Sequence, residues 1–145
     1  MIHESYPLIT DEKREVFIFE SVGPKGRVRK IVIFDQIRAD LWNLGFGDLL
    51  EQGWDDAVIT NNGDLVRVIS SVAQATYKFS EKWPERKILI SPVDEKRKQL
   101  YNTIFKRRYH EIMAIFEIKG LQGKKLQNYD PHTYFDLFLL SRKKI

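Results

Sequence analysis

Cysteine is absent from the 145 residues, which excludes a disulfide, a thiolate nucleophile and a cysteine-ligated zinc. Long apolar runs are absent too, and none approaches the roughly 20 residues that a membrane-spanning helix needs. The first ten residues (MIHESYPLIT) have neither the basic start nor the apolar core of a secretory signal. The expectation is therefore a bacterial cytoplasmic setting with no membrane partner. Histidine is scarce: His3, His110 and His132 stand far apart, with no HxxxH or HExxH spacing, which argues against a zinc site. No GxxxxGK or GxGxxG phosphate loop occurs, and no GxSxG elbow supports a serine nucleophile.

What is present is the composition of an ordinary globular protein, 43% apolar and 30% charged, at a length that suits one domain over residues 1–145. The net charge of +4, with a pI near 9.2, is compatible with a nucleic-acid partner without requiring one. Acidic residues run through most of the chain, so no extended stretch carries one sign only.

The pattern predicts an α+β fold in the order β-β-(irregular)-α-β-α-β-β, with two main helices on a mostly antiparallel sheet of four to six strands. Residues 16–19 and 28–34 (VRKIVIF) are rich in β-branched and aromatic side chains and flank SVGPKG, a hairpin signature. Residues 35–53 are harder to assign: the glycines of LGFGD argue against a regular helix and for a tight backbone path, which leaves one more strand or none in this region. Asp64 is a good N-cap for a helix running to about residue 82, with Leu65, Val68, Ile69, Val72, Thr76 and Phe79 in one stripe and Pro84 beyond its end. KILI (87–90) reads as a buried strand, 94–112 as one helix with Asp94 as its N-cap, and 114–118 and 134–140 as two further strands. The polar connection GLQGKKLQNYDPHT is expected to be a mobile loop.

Three sets of residues bear on chemistry. Within the helix at 94–112, Leu100, Tyr101, Ile104, Phe105, Tyr109 and Ile112 define an apolar arc, and Arg97 and Arg108 fall inside it. A guanidinium on that side needs a carboxylate, carbonyls or an anionic ligand. The readings are an anion clamp near the helix N-terminus or an internal ion pair of Arg97 with Asp48, Asp55, Asp56 or Asp64. The second set comprises Asp48, Asp55, Asp56 and Asp64 beside glycine-rich turns, which is what a hard divalent cation needs and equally what turns and caps use. No metal site or cofactor is assigned. The third set is a basic surface of Lys25, Arg27 and Arg29, with Lys30 beside them on the hairpin, and Lys124 and Lys125 in the late loop. Such cations can track a phosphate backbone, or simply protect a solvated sheet edge.

Asn43-Leu44-Gly45-Phe46-Gly47-Asp48, Asn62-Gly63-Asp64 leading into Val68-Ile69-Ser70-Ser71-Val72, and Arg97-Lys98-Gln99-Leu100-Tyr101 together resemble a family of small bacterial proteins of unknown function, found mainly in Bacteroidetes. The turn Gly23-Pro24-Lys25-Gly26 fits the same pattern. The chain departs from it at Pro92-Val93-Asp94, where the family pattern has Gly-Ser-Thr. The resemblance implies a single-domain cytoplasmic protein and supplies no activity. The expectation is a non-enzymatic binding module that self-associates as a dimer, with nucleic acid as a candidate partner. The alternative is an enzyme on a phosphorylated or nucleic-acid substrate, using an Asp-bound divalent metal and Arg97 as the clamp.

Overall fold

A computed structural model describes residues 4–55 and 61–144. The fold is α+β, with nine strands in a mixed sheet and three helices among the described residues. That exceeds the four to six strands expected, because residues read as irregular or mobile are in fact strands. Contacts group the chain into two compact units, one drawn from Met1–Asp35 and Gly45–Trp83, the other from Gln36–Leu44 and Pro84–Ile145.

In the first unit, β1 (Ile9–Thr10), β2 (Val16–Gly23) and β3 (Gly26–Arg38) are antiparallel neighbours. β4 (Leu41–Leu50) follows β3, and β5 (Gly53–Asp55) pairs back onto β4. The β2–β3 hairpin is longer than the sequence reading, and its turn closes at the Gly23–Gly26 pair. Gly26 adopts φ +84°, a conformation that L side chains rarely take. LGFGD is not an irregular path; it lies inside β4. Its Gly45 serves packing instead: a Cβ there would stand 2.7 Å from the indole of Trp54.

Helix α1 (Leu65–Lys82) covers one face of this unit's strands. Alternation along β2 and β3 sends Phe17, Phe19, Val32 and Phe34 to that face, all at most 2% exposed. Phe34 stacks on Phe79 of α1 with centroids 4.1 Å apart, and Phe17 meets Phe34 edge-on. The buried stripe of α1 is less apolar than predicted. Val68, Ala75, Thr76 and Phe79 are buried, but so are Ser70, Ser71 and Ser80, while Leu65 is half exposed. The helix-buried hydroxyls of Ser71, Thr76 and Ser80 donate to carbonyls of their own helix, which removes the cost of burying them.

In the second unit the order is β4-β6-β9-β7-β8, with β6 (Lys87–Ile90) parallel to the start of β4 and the remaining pairs antiparallel. β7 (Phe116–Gln122), β8 (Lys125–Asn128) and β9 (Leu137–Arg142) correct the reading of the C-terminal third. The expected mobile loop contains the end of β7, a turn at Gly123 and the whole of β8. The predicted single helix at 94–112 is two, α2 (Glu95–Arg107) and α3 (Tyr109–Met113), broken at Arg108 with φ −106°. Only Phe105 of the apolar arc is fully buried; it stacks on Phe138 of β9 at 4.1 Å.

Candidate functional site

A polar cluster of the first unit surrounds Asp64. As the residue before α1, Asp64 was expected to cap the helix, but its side chain makes no capping bond. Its Oδ2 instead accepts the Tyr6 hydroxyl at 2.6 Å and the Ser21 hydroxyl at 2.5 Å. The Tyr6 oxygen also accepts the Val22 N–H at 3.1 Å, and the Tyr6 N–H donates to Ser71 Oγ at 2.8 Å. Burial first, and then the bond to Asp64, raise the Tyr6 phenol above its ordinary value. The Arg67 guanidinium lies over the Tyr6 ring, 4.0 Å from its centroid, a cation–π contact.

Asn62 completes this network. Its Nδ2 donates to Gly26 O at 2.9 Å and to Ser21 Oγ at 3.2 Å, while its Oδ1 accepts the Lys25 N–H at 2.7 Å. One buried amide thus ties the hairpin turn to the start of α1. Ser21 is 0% exposed and Asn62 1%, so neither can meet a substrate. An open depression of about 650 Å³ lies beside the network, lined by Glu4, Asn61, Gly63, Asp64, Leu65, Val66 and Arg67.

Asp48 lies elsewhere in the first unit, in a role the sequence reading missed. Its Oδ1 is 2.5 Å from Lys30 Nζ, and both side chains are buried, 4% and 1% exposed. Lys30 therefore does not belong to the basic surface; alternation on β3 places it with Val28, Val32 and Phe34 on the core-facing side. The signal was available: Arg27 and Arg29 share the opposite face, and the same period of two turns Lys30 inward.

Arg97 belongs to the second unit and pairs locally. Asp94 caps α2, accepting the Arg97 N–H at 2.8 Å, and its second oxygen takes the Arg97 guanidinium. The Arg97 side chain is 13% exposed, and its Nε is buried with no hydrogen-bond partner among the described residues. Among the described residues its carboxylate partner is Asp94 rather than Asp48 or Asp64, because a cap three residues earlier already lies within reach. The side chain of Asp55 and the whole of Asp56 lie outside the described residues. Arg108 sits at the helix break and pairs with Glu111 at 3.4 Å. Also in this unit, Lys98 Nζ bonds Asp136, which also accepts the Gly123 N–H. The bond to Asp136 raises Lys98, and the bonds from Lys98 and then Gly123 lower Asp136.

The candidate cations are exposed. Lys25, Arg27 and Arg29 crowd the end of the β2–β3 hairpin, where Arg27 pairs with Glu20 at 3.0 Å. Lys124 and Lys125 occupy the β7–β8 turn. No group of three or more His, Cys, Asp or Glu arranged to hold a metal occurs among the described residues, and no described helix is long and apolar enough to cross a membrane. Compared with known proteins, residues 2–143 match a family described as a family of unknown function, DUF6934. No curated protein and no solved structure matches the chain.

Proposed function

The chain belongs to the DUF6934 family, whose function is unknown, and from that premise we propose that it is a non-enzymatic binding module that self-associates and engages an anionic macromolecule, nucleic acid first. One observation carries this reading. The side chains with chemical potential are engaged internally, Asp48 with Lys30, Asp64 with Tyr6 and Ser21, and Asp94 with Arg97, while the cations of two hairpin ends face outward. Groups already engaged with protein partners must give up those bonds to meet a substrate, whereas exposed cations such as Lys25, Arg29, Lys124 and Lys125 can neutralise phosphates directly.

The test is binding of short single- and double-stranded oligonucleotides across a salt series. The expected result is measurable affinity at low salt that falls linearly in log–log form, with Lys25→Glu and Arg29→Glu each weakening it and flattening the slope. No binding at low salt would overturn the nucleic-acid assignment. The buried, unpartnered Arg97 Nε favours one second reading, the anion clamp of a metal-assisted enzyme. That reading expects Mg²⁺ or Mn²⁺ with a nucleotide to stabilise the wild type in a thermal shift, and Arg97→Ala to abolish the effect.

A further inference from the structure

Six cations outside both hairpin ends gather at one end of the second unit. Lys106 and Arg107 close α2, and Arg108 forms the break before α3. Arg142 ends β9, and Lys143 and Lys144 follow it. Two contacts bring these runs near each other. Arg142 is the register partner of Phe116, and the Lys143 N–H donates to Ile115 O at 2.8 Å. Ile115 lies just beyond α3, which is five residues long, about 7.5 Å at a rise of ~1.5 Å per residue. That separation is on the order of the Debye length at physiological salt, ~8 Å, so both runs act on one nearby anion.

The carboxylates of the same stretches do not cancel this charge. Residues 106–118 and 142–144 hold the six cations and two glutamates, an excess equal to the +4 of the whole chain. Glu111 is engaged by Arg108 at 3.4 Å. Glu117 alternates with the buried Phe116 and Ile118, which sends it to the sheet face opposite α2. Lys106, Arg107, Lys143 and Lys144 are all exposed. The carbonyl end of a helix favours cations, which accounts for Lys106 and Arg107 but not for a run that follows a strand. The run at the helix break continues into two rings, Tyr109 and His110. His110 is exposed, and its ring stands edge-on to Tyr109 with centroids 5.5 Å apart. Cations beside rings suit a partner that offers both phosphates and unstacked bases, whereas a lipid surface or an acidic peptide would use the cations alone.

We infer that the α2–α3 break and the end of β9 together form a binding surface for single-stranded nucleic acid, with Arg107 and Lys143 meeting phosphates and His110 stacking on a base. This rests on the nucleic-acid reading above and adds a surface to it. The β7–β8 turn lies at the other end of β7 from Phe116, so Lys124 and Lys125 do not belong to this surface. The experiment is fluorescence anisotropy of a short labelled single-stranded oligonucleotide with the full chain across a salt series, with thermal melts to verify folding. Arg107→Glu and Lys143→Glu should each weaken binding about tenfold and flatten the salt slope, and His110→Ala should weaken it about fivefold. Lys119→Glu makes the same charge change on the opposite sheet face and should stay within about twofold of wild type. A folded Arg107→Glu, Lys143→Glu or His110→Ala protein that binds as wild type overturns the inference. So does a loss in Lys119→Glu as large as theirs, or competition by polyglutamate or anionic phospholipid vesicles as effective as that by unlabelled oligonucleotide. A wild type that binds no oligonucleotide removes this surface and the reading it rests on together, whereas losses confined to Lys25→Glu and Arg29→Glu remove this surface alone.

Discussion

The Lys30–Asp48 pair and the Asp94–Arg97 pair join the same kinds of group under opposite conditions. Lys30 and Asp48 are 18 residues apart on neighbouring strands of a core, 1% and 4% exposed. Asp94 and Arg97 are three residues apart at the start of a helix, with Asp94 48% exposed. The first pair exists only because the strands assemble; the second is available as soon as one helical turn forms. Burial also reverses the energetic meaning. In water an ion pair contributes little because solvent competes for both charges. In a core, two charges held together can be nearly neutral for stability, while one left alone is costly.

Breaking the buried pair should therefore have the largest effect. Lys30→Met removes the cation 2.5 Å from the buried Asp48 carboxylate and should cost about 3–5 kcal/mol, the range for breaking a buried pair. Lys30→Met with Asp48→Leu should recover most of that loss, because the buried carboxylate is removed together with its cation. Urea denaturation of the three proteins checks this. A double variant no better than the single would mean that the pair specifies local geometry as well as neutralising charge.

The local pair should respond more weakly and unequally. Asp94→Ala removes a helix cap and should cost about 1 kcal/mol. Arg97→Ala leaves the cap bond to the backbone in place and should cost less. Equal losses in thermal melts would show that the guanidinium, rather than the cap, is the main role of Asp94.

The smallest effect concerns Lys98 and Asp136, which lie between these extremes at 23% and 40% side-chain exposure. The Asp136 carboxyl is lowered by Lys98 and Gly123, so its contribution is present above the ordinary carboxylate range and is lost as pH falls through the lowered value. Lys98 is raised, so its contribution is present below the ordinary lysine value and is lost as pH rises through the raised one. Asp136→Asn should flatten the acid side of a melting-temperature profile slightly; an unchanged profile would remove the pair from the pH dependence.

Much of this contrast could be read along the chain. The 65–82 helix, the cap at Asp94, the β2–β3 hairpin and KILI all follow from short-range periodicity and turn chemistry. The misreadings have physical causes. Gly45 looked like a turn residue, because sequence cannot show that an indole will press against its missing Cβ. The 120–128 stretch looked like a loop, because β8 is four residues long and mostly exposed, with little apolar alternation. Lys30 was legible from period-two spacing, but lysine on a strand is so commonly solvated that its inward position needed the structure.

Short-range order along the chain was enough for the α+β class, the excluded cysteine chemistry, the capped start of α2 and the exposed cations of the hairpin end. Those depend on residues a few positions apart, whose geometry follows once a helix or turn forms. Assembly of the sheet was needed before Asp64 could bind Tyr6 and Ser21 rather than its own helix, before Asp48 could neutralise Lys30, and before Lys143 could reach Ile115. These associations join residues tens of positions apart, and their partners are chosen by which strands pair and in what register, a global outcome that no local pattern specifies.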